Sequence, residues 1–203
     1  VEGQDSRVWL DERSPSPDAD VIDLHQGYVV VSDSRKFPLS LKVGQQEMSY
    51  GDERFIGVSD WNNIGRVFDA VKVRFENETL WIDAFSGWVV VPWNGQWDNP
   101  SDSFWLTGVY GSTREPVPWQ ETQLYFLIKT ASDNSTNPVA PGVSRPAPRD
   151  IYTPGFRVQS LPGKLGGWDY RVEVAGQYGS ISSGGQRLDQ RALAADAVIG
   201  YTW

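Results

Sequence analysis

Side chains alternate between apolar and polar along much of this chain, and that period of two constrains the fold more than any other feature. In Trp168-Asp169-Tyr170-Arg171-Val172-Glu173-Val174-Ala175-Gly176-Gln177-Tyr178 the even positions are mostly aromatic or aliphatic and the odd ones mostly charged or polar. Val71-Lys72-Val73-Arg74-Phe75-Glu76 and Leu39-Ser40-Leu41-Lys42-Val43 repeat the pattern with the apolar set on odd numbers. Because successive side chains of a strand point to opposite faces, such segments read as half-buried β-strands, and no helical period of useful length competes with them. The chain is expected to be all-β, with about ten strands near 2–10, 20–32, 38–49, 67–76, 80–91, 103–112, 119–130, 149–159, 168–179 and 187–203.

The connections narrow the architecture. They fall at 11–19, 33–37, 50–66, 77–79, 92–102, 113–118, 131–148, 160–167 and 180–186, and until the last one longer loops alternate with shorter turns. An up-and-down outer-membrane barrel has this rhythm, with short turns at one end and long loops at the other. A Greek-key sandwich has no reason to alternate so regularly. The long segments carry Ser14-Pro15-Ser16-Pro17 and Ser132-Asp133-Asn134-Ser135-Thr136-Asn137-Pro138, the composition of exposed loops. The 203 residues are therefore expected to form part of a single β-barrel domain.

Composition removes several classes. The net charge of −8 argues against nucleic-acid binding, and the absence of cysteine excludes a disulfide scaffold or thiolate metal site. Apolar runs such as Trp88-Val89-Val90-Val91 fall far short of the roughly 18 residues a spanning helix needs, whereas barrel strands need only about 9–11 with alternate positions apolar. The first residues, Val1-Glu2-Gly3-Gln4-Asp5, lack the apolar core of a signal peptide, so a mature chain or a fragment is expected. Ten Trp in a chain that is 13% aromatic suit an interface. Trp81, Trp88, Trp93, Trp105, Trp119, Trp168, Tyr201 and Trp203 are placed for a membrane girdle.

The alternating faces can be occupied in two ways. In a soluble sandwich the apolar face packs inward and Lys72, Arg74, Arg171 and Glu173 meet water; in a barrel the apolar face meets lipid and those charges line a lumen. On the barrel reading Lys42, Lys72, Arg74, Lys129, Arg157 and Arg171 face inward, joined by Glu76, Asp169 and Glu173, so cations outnumber acids there. The long segment after Tyr50 is dense in charge, with Asp52, Glu53, Arg54, Asp60 and Arg66. It is expected to fold over or into the lumen as a constriction, Arg54 and Arg66 pairing with Glu53, Asp52 or Asp60.

Residues 44–70 carry a family signature. Gly44-Gln45-Gln46-Glu47-Met48-Ser49-Tyr50-Gly51-Asp52-Glu53-Arg54-Phe55-Ile56-Gly57 resembles the alginate export family's "GRQELSYGDERLIG". Asp60-Trp61-Asn62-Asn63 and Gly65-Arg66-Val67-Phe68-Asp69-Ala70 are similar to its "W-x-N-x-x-R-x-F-D-A". Arg149-Asp150-Ile151-Tyr152-Thr153-Pro154-Gly155 and Gly200-Tyr201-Thr202 resemble later family motifs. The resemblance implies a bacterial outer-membrane β-barrel that exports an anionic polysaccharide, or a similar anionic solute, through a charged lumen, with outer-membrane lipid around it. Two departures stand out. Gln45 occupies a place where the family usually has Arg, and family barrels have more strands than this chain supplies, which implies a piece of a larger barrel.

Other signals give little. His25 is the only histidine, which leaves a histidine metal site or triad without support; a hydrogen-bonded strand residue is expected. No metal, no cofactor and no catalytic constellation is expected, and Gly163-Lys164-Leu165-Gly166-Gly167 lacks the spacing of a phosphate loop. Asn77-Glu78-Thr79 is a formal glycosylation sequon without meaning in a bacterium. Two other classes compete. One is a secreted sugar-binding or glycoside-hydrolase β protein, using Trp93-Asn94-Gly95-Gln96-Trp97-Asp98 and carboxylates such as Asp83, Glu121 and Asp169. The other is a general porin without polysaccharide specificity.

Overall fold

A computed structural model describes residues 1–6, 20–33, 37–59, 65–91, 99–115, 117–132, 147–183 and 185–203, with side chains for all of these but 20–23, 91 and 99–103. The described residues form ten strands and no helix: β1 (Glu2–Ser6), β2 (Asp20–Ser32), β3 (Leu39–Gln46), β4 (Phe68–Glu76), β5 (Leu80–Val91), β6 (Asn99–Thr113), β7 (Gln120–Ala131), β8 (Arg149–Ser160), β9 (Trp168–Ser183) and β10 (Gln186–Tyr201). They make one antiparallel sheet in the order β1 to β10, each strand paired with its neighbours in sequence. The topology is up-and-down throughout. β1 and β10 do not pair with each other, so the sheet is an open arc of a barrel.

The short connections 33–38, 77–79, 114–119 and 161–167 lie at one end. At the other are 7–19, 47–67, 92–98 and 132–148, together with a tight last connection. The shortest turn at the first of these ends explains itself. Asn77 Oδ1 accepts from the backbone N of Thr79 at 3.0 Å and of Leu80 at 2.8 Å, closing an Asx turn, so this sequon reads as turn chemistry.

Three strand ends differ from the sequence expectation by more than two residues, and 7–10 of the expected first strand lie outside the described residues. β3 stops at Gln46 instead of 49, where the chain leaves the sheet for the inner face. β6 begins at Asn99, where a loop was expected through 102, because Val90 and Val91 pair with Pro100 and Asn99 beyond an irregularity after Trp88. β9 runs to Ser183 although four of its last five residues are Gly or Ser. Ser183 pairs with Gln186, and Gly185 (φ +79°) turns the hairpin that makes this possible.

Register fixes which side chains share a face. Val71 and Val73 on β4, Leu124 and Phe126 on β7, Pro154 and Phe156 on β8, and Val172 and Val174 on β9 all point to one face, called outer here, and most of them are exposed; Leu124 is 62% exposed. The buried residues Phe68, Ala70, Asp83, Phe85, Tyr110, Gln123, Tyr125, Leu127, Thr153, Arg157, Glu173 and Ala175 point to the other, inner face. The segment 47–59 lies on that inner face. Met48, Tyr50 and Ile56 form its core with Phe68, Ala70, Phe85, Tyr110, Tyr125, Leu127 and Ala175. The buried apolar cluster of the described residues is thus a loop packed against the inner wall, while most of the strands' apolar outer face stays open.

Charge vanishes from much of the outer face. Outward residues of β9 from Trp168 to Tyr178 are Trp, Tyr, Val, Val, Gly and Tyr, spanning about 33 Å of strand. At the usual barrel tilt of 35–45° this is about 25 Å along the membrane normal, the height of the apolar band of an outer-membrane barrel. At the long-loop rim the outward row Gln45, Asp69, Trp88, Trp105, Thr130, Asp150, Ser180 and Asp189 is polar, with Trp88 and Trp105 packed edge-to-face at 4.1 Å between centroids. Arg191 lies one outward position inside this rim, within reach of the head-group level. Exposed Trp119, Trp168, Tyr201 and Trp203 cluster near the short-turn end. Trp81 does not belong to the girdle. It points inward, stacked on Tyr110 at 5.8 Å with Arg74 over its ring at 4.8 Å, because its odd position shares a face with Asp83 and Phe85. Trp93 lies outside the described residues.

Candidate functional site

The inner face is built in transverse rows that the register brings together. One row reads Ser40, Arg74, Asp83, Tyr110, Tyr125, Gly155, Ala175 and Ala194 across β3 to β10. The next toward the short turns reads Glu76, Trp81, Ser112, Gln123, Arg157, Glu173 and Asp196.

In and beside these rows many polar groups pair with one another. Arg74 binds Asp83 through two bonds, Nε to Oδ1 at 2.6 Å and Nη2 to Oδ2 at 2.9 Å, the bidentate geometry in which guanidinium–carboxylate pairs are strongest. Lys72 lies 3.8 Å from the same carboxylate, which is fully buried. Tyr110 donates to Gln123 at 2.6 Å and Tyr125 to Glu173 at 2.8 Å. Ser112 and Gln159 both donate to Glu121, at 2.5 and 2.9 Å.

Tyr125 reaches Glu173 only because position 155 has no side chain: a Cβ there would sit 2.0 Å from the ring's Cζ. The glycine is a slot for the ring, a device by which sheets cover an exposed Gly with an aromatic neighbour. Trp81, Tyr110 and Tyr125 are nearly parallel, 5.8 and 5.1 Å apart, and Tyr50 stacks on Tyr110 at 4.7 Å. With faces turned to each other, these rings pack the wall instead of offering a flat surface to a sugar.

The loop crosses this belt. Its tip closes on itself, Tyr50 N donating to Ile56 O at 3.2 Å and Glu53 N to Tyr50 O at 3.0 Å. Gly51 and Glu53 both adopt the left-handed conformation (φ +57° and +59°), which for Glu53 costs about 1–2 kcal/mol. Ser49 donates to the Glu53 carboxylate at 2.6 Å and steadies that turn. The turn aims three side chains at the wall. Tyr50 donates its hydroxyl to Asp83 at 2.7 Å, and burial, reinforced by the Asp83 charge, raises its pKa well above the usual range, so it remains a donor. Asp52 lies between two guanidiniums, 2.8 Å from Arg157 Nη2 and 2.8 Å from Arg171 Nε. Arg54 lies 3.0 Å from Glu173 and 2.6 Å from Asp196.

All six strand cations singled out in the sequence, Lys42, Lys72, Arg74, Lys129, Arg157 and Arg171, sit on the inner face, but in two groups. Arg74, Arg157 and Arg171 belong to the belt under the loop. Lys42 and Lys72 are directly paired in register nearer the long-loop end, Lys42 over the Tyr28 ring at 3.6 Å. Lys129 stands toward the same end, 4.5 Å from the Phe104 ring, which Arg149 also faces at 5.8 Å. The expected excess of cations narrows on the strands. Arg149 also falls on the inner face, and Asp83, Glu121 and Asp196 join Glu76, Asp169 and Glu173, so that among the described side chains of β3 to β10 seven cations meet six carboxylates. Asp83 and Asp196 lie in segments whose face the alternation did not fix, whereas Glu121 shares the strand and the odd parity of Lys129.

The loop charges meet different partners from those expected. Arg54 approaches Asp52 only at 3.7 Å, its nearer partners being Glu173 and Asp196. Wall carboxylates fixed by the sheet are better placed than neighbours on the same tight turn. The Arg66 backbone N donates to Val58 O while its side chain is exposed, and Asp60 lies outside the described residues, as does 93–98. His25 pairs with Glu47 at 3.0 Å where the loop leaves β3, and Gln45 donates to Leu24 O at 2.6 Å. The Gln45 departure therefore bears on the joining of β2 and β3, away from the charged belt.

An up-and-down sheet with an apolar outer band, a charged inner face and a loop folded onto that face is the wall of a β-barrel pore. The alginate export family model matches residues 1–203, and the chain belongs to that family of outer-membrane transport barrels. Among curated proteins none matches it.

Proposed function

We propose that this chain is the wall of a bacterial outer-membrane pore that passes an anionic polysaccharide, or a similar anionic solute, through a charged lumen, all 203 residues belonging to one barrel domain. The observation that carries the reading is the division of faces: an outer apolar band of membrane height, and Lys42, Lys72, Arg74, Lys129, Arg157 and Arg171 on the inner face. Ring charges of this kind set a pore's ion preference. In this reading the segment with Asp52, Glu53, Arg54, Asp60 and Arg66 is the constriction. Asp52 and Arg54 brace it against β8, β9 and β10, and Tyr50 holds its tip to β5.

The test is selectivity. In the full-length protein reconstituted into planar bilayers, Lys72→Glu, Arg74→Glu and Arg171→Glu together should shift the reversal potential under a salt gradient toward cations. An unchanged reversal potential removes these residues from the path.

The near balance of seven strand cations and six strand carboxylates on the inner face supports a second reading, a general porin without polysaccharide specificity. Current block by a polyuronate but not by a neutral glycan of equal length favours the export pore; equal block favours the porin.

A further inference from the structure

Asp52 occupies its place on the wall as a free carboxylate would. Its two oxygens face Arg157 and Arg171, one each, at 2.8 Å. The seat beneath it is preformed. Arg157 is only 4% exposed and is fixed by Gln123 Oε1 at 3.2 Å and Gln159 Oε1 at 2.8 Å, independently of the loop. It is also not filled: Arg157 Nε is buried without a hydrogen-bond partner, and neither Arg171 Nε nor Asp52 Oδ2 makes an aligned hydrogen bond despite their proximity. A carboxylate on a short side chain, tethered through a strained turn, uses only part of what two guanidiniums offer.

The wall does not depend on Asp52 for neutrality. Arg157 stands directly opposite Glu173 in the β8–β9 register, and Arg171 already approaches Asp196 at 3.8 Å. If the loop lifts, taking Asp52 and Arg54 with it, the two wall acids released by Arg54 are beside the two wall arginines released by Asp52. The exchange strands no charge, which is the condition for a two-state element. The same acids would keep an incoming carboxylate from being trapped, as conduction requires.

We infer that Asp52 is a built-in competitor for the transported polymer. The Arg157–Arg171 pair binds a carboxylate of the uronate class where Asp52 now sits, and that exchange releases the tip Tyr50–Ile56 from the wall. The inference rests on the pore reading above and adds to it an occupied subsite and what displaces the occupant. A self-occupied site binds its ligand more weakly by the fraction of time it is free, so removing the competitor should tighten apparent affinity.

Full-length protein in lipid vesicles and bilayers tests this with two readouts: tryptic cleavage after Arg54, and the concentration of an oligomeric polyuronate that halves the current. In the unaltered protein polyuronate should speed cleavage several-fold and a neutral glycan should not. Asp52→Asn should be cleaved about tenfold faster with no polymer, gain nothing further from it, and show an about tenfold lower half-blocking concentration. Asp52→Glu, which keeps the carboxylate, should stay protected, and gel mobility before and after heating confirms that each variant is folded. The inference is overturned if Asp52→Asn is as protected as the parent, or if polyuronate blocks both at the same concentration with Arg54 uncut. Absence of block in every protein, the parent included, would instead remove the pore reading itself.

Discussion

Replacing Asp83 by alanine removes the acceptor at which the wall and the loop meet. The carboxylate has no solvent exposure and holds both Arg74 contacts and the Tyr50 hydroxyl. Breaking a buried ion pair by removing one partner costs about 3–5 kcal/mol. Arg74 is a third exposed and keeps Glu76 at 3.6 Å, so solvent screening places the loss at the lower end, about 3 kcal/mol. Tyr50→Phe keeps the ring stack on Tyr110 and loses only a hydrogen bond to a charged group, about 1.5 kcal/mol. If the bond is real, the two losses overlap. The double variant should lose about 3 kcal/mol, against about 4.5 for independent sites, a coupling of about 1.5 kcal/mol. Urea titration of the full-length protein in lipid, followed by heat-modifiable gel migration, measures each. With a slope of about 2 kcal/mol per molar, Asp83→Ala should lower the midpoint by about 1.5 M. Additivity of the two single changes to within about 0.5 kcal/mol would show that the loop tip is not fastened at Asp83.

Two further outcomes are expected. Gly155→Ala places a Cβ 2.0 Å from Tyr125 Cζ, so the ring must leave its slot and its Glu173 bond, at about 1–3 kcal/mol; in a Tyr125→Ala background the same change should cost almost nothing, and equal costs in both backgrounds would refute the slot. Val109→Arg puts a charge on the outer face near the middle of the apolar band and should cost about 2–4 kcal/mol in bilayers; a change within about 0.5 kcal/mol, as at a water-exposed site, would show that this face does not meet lipid.

Local chemistry wrote most of the fold into the sequence. A period of two needs only neighbouring residues to be read, so Val71-Lys72-Val73-Arg74 and Trp168 to Tyr178 declared their strands and the opposition of their faces. Connection lengths declared the up-and-down order for the same reason, and the block from Gly44 to Ala70 declared the family. Which partner each charge takes was not local. Asp52 meets Arg157 across 105 positions and Arg54 meets Glu173 across 119. Asp83 and Asp196 enter the belt only because register sets them beside Arg74 and under Arg54. Pairing energies depend on distance and burial in space, and those quantities exist only once the sheet has fixed its register and the loop has closed over it.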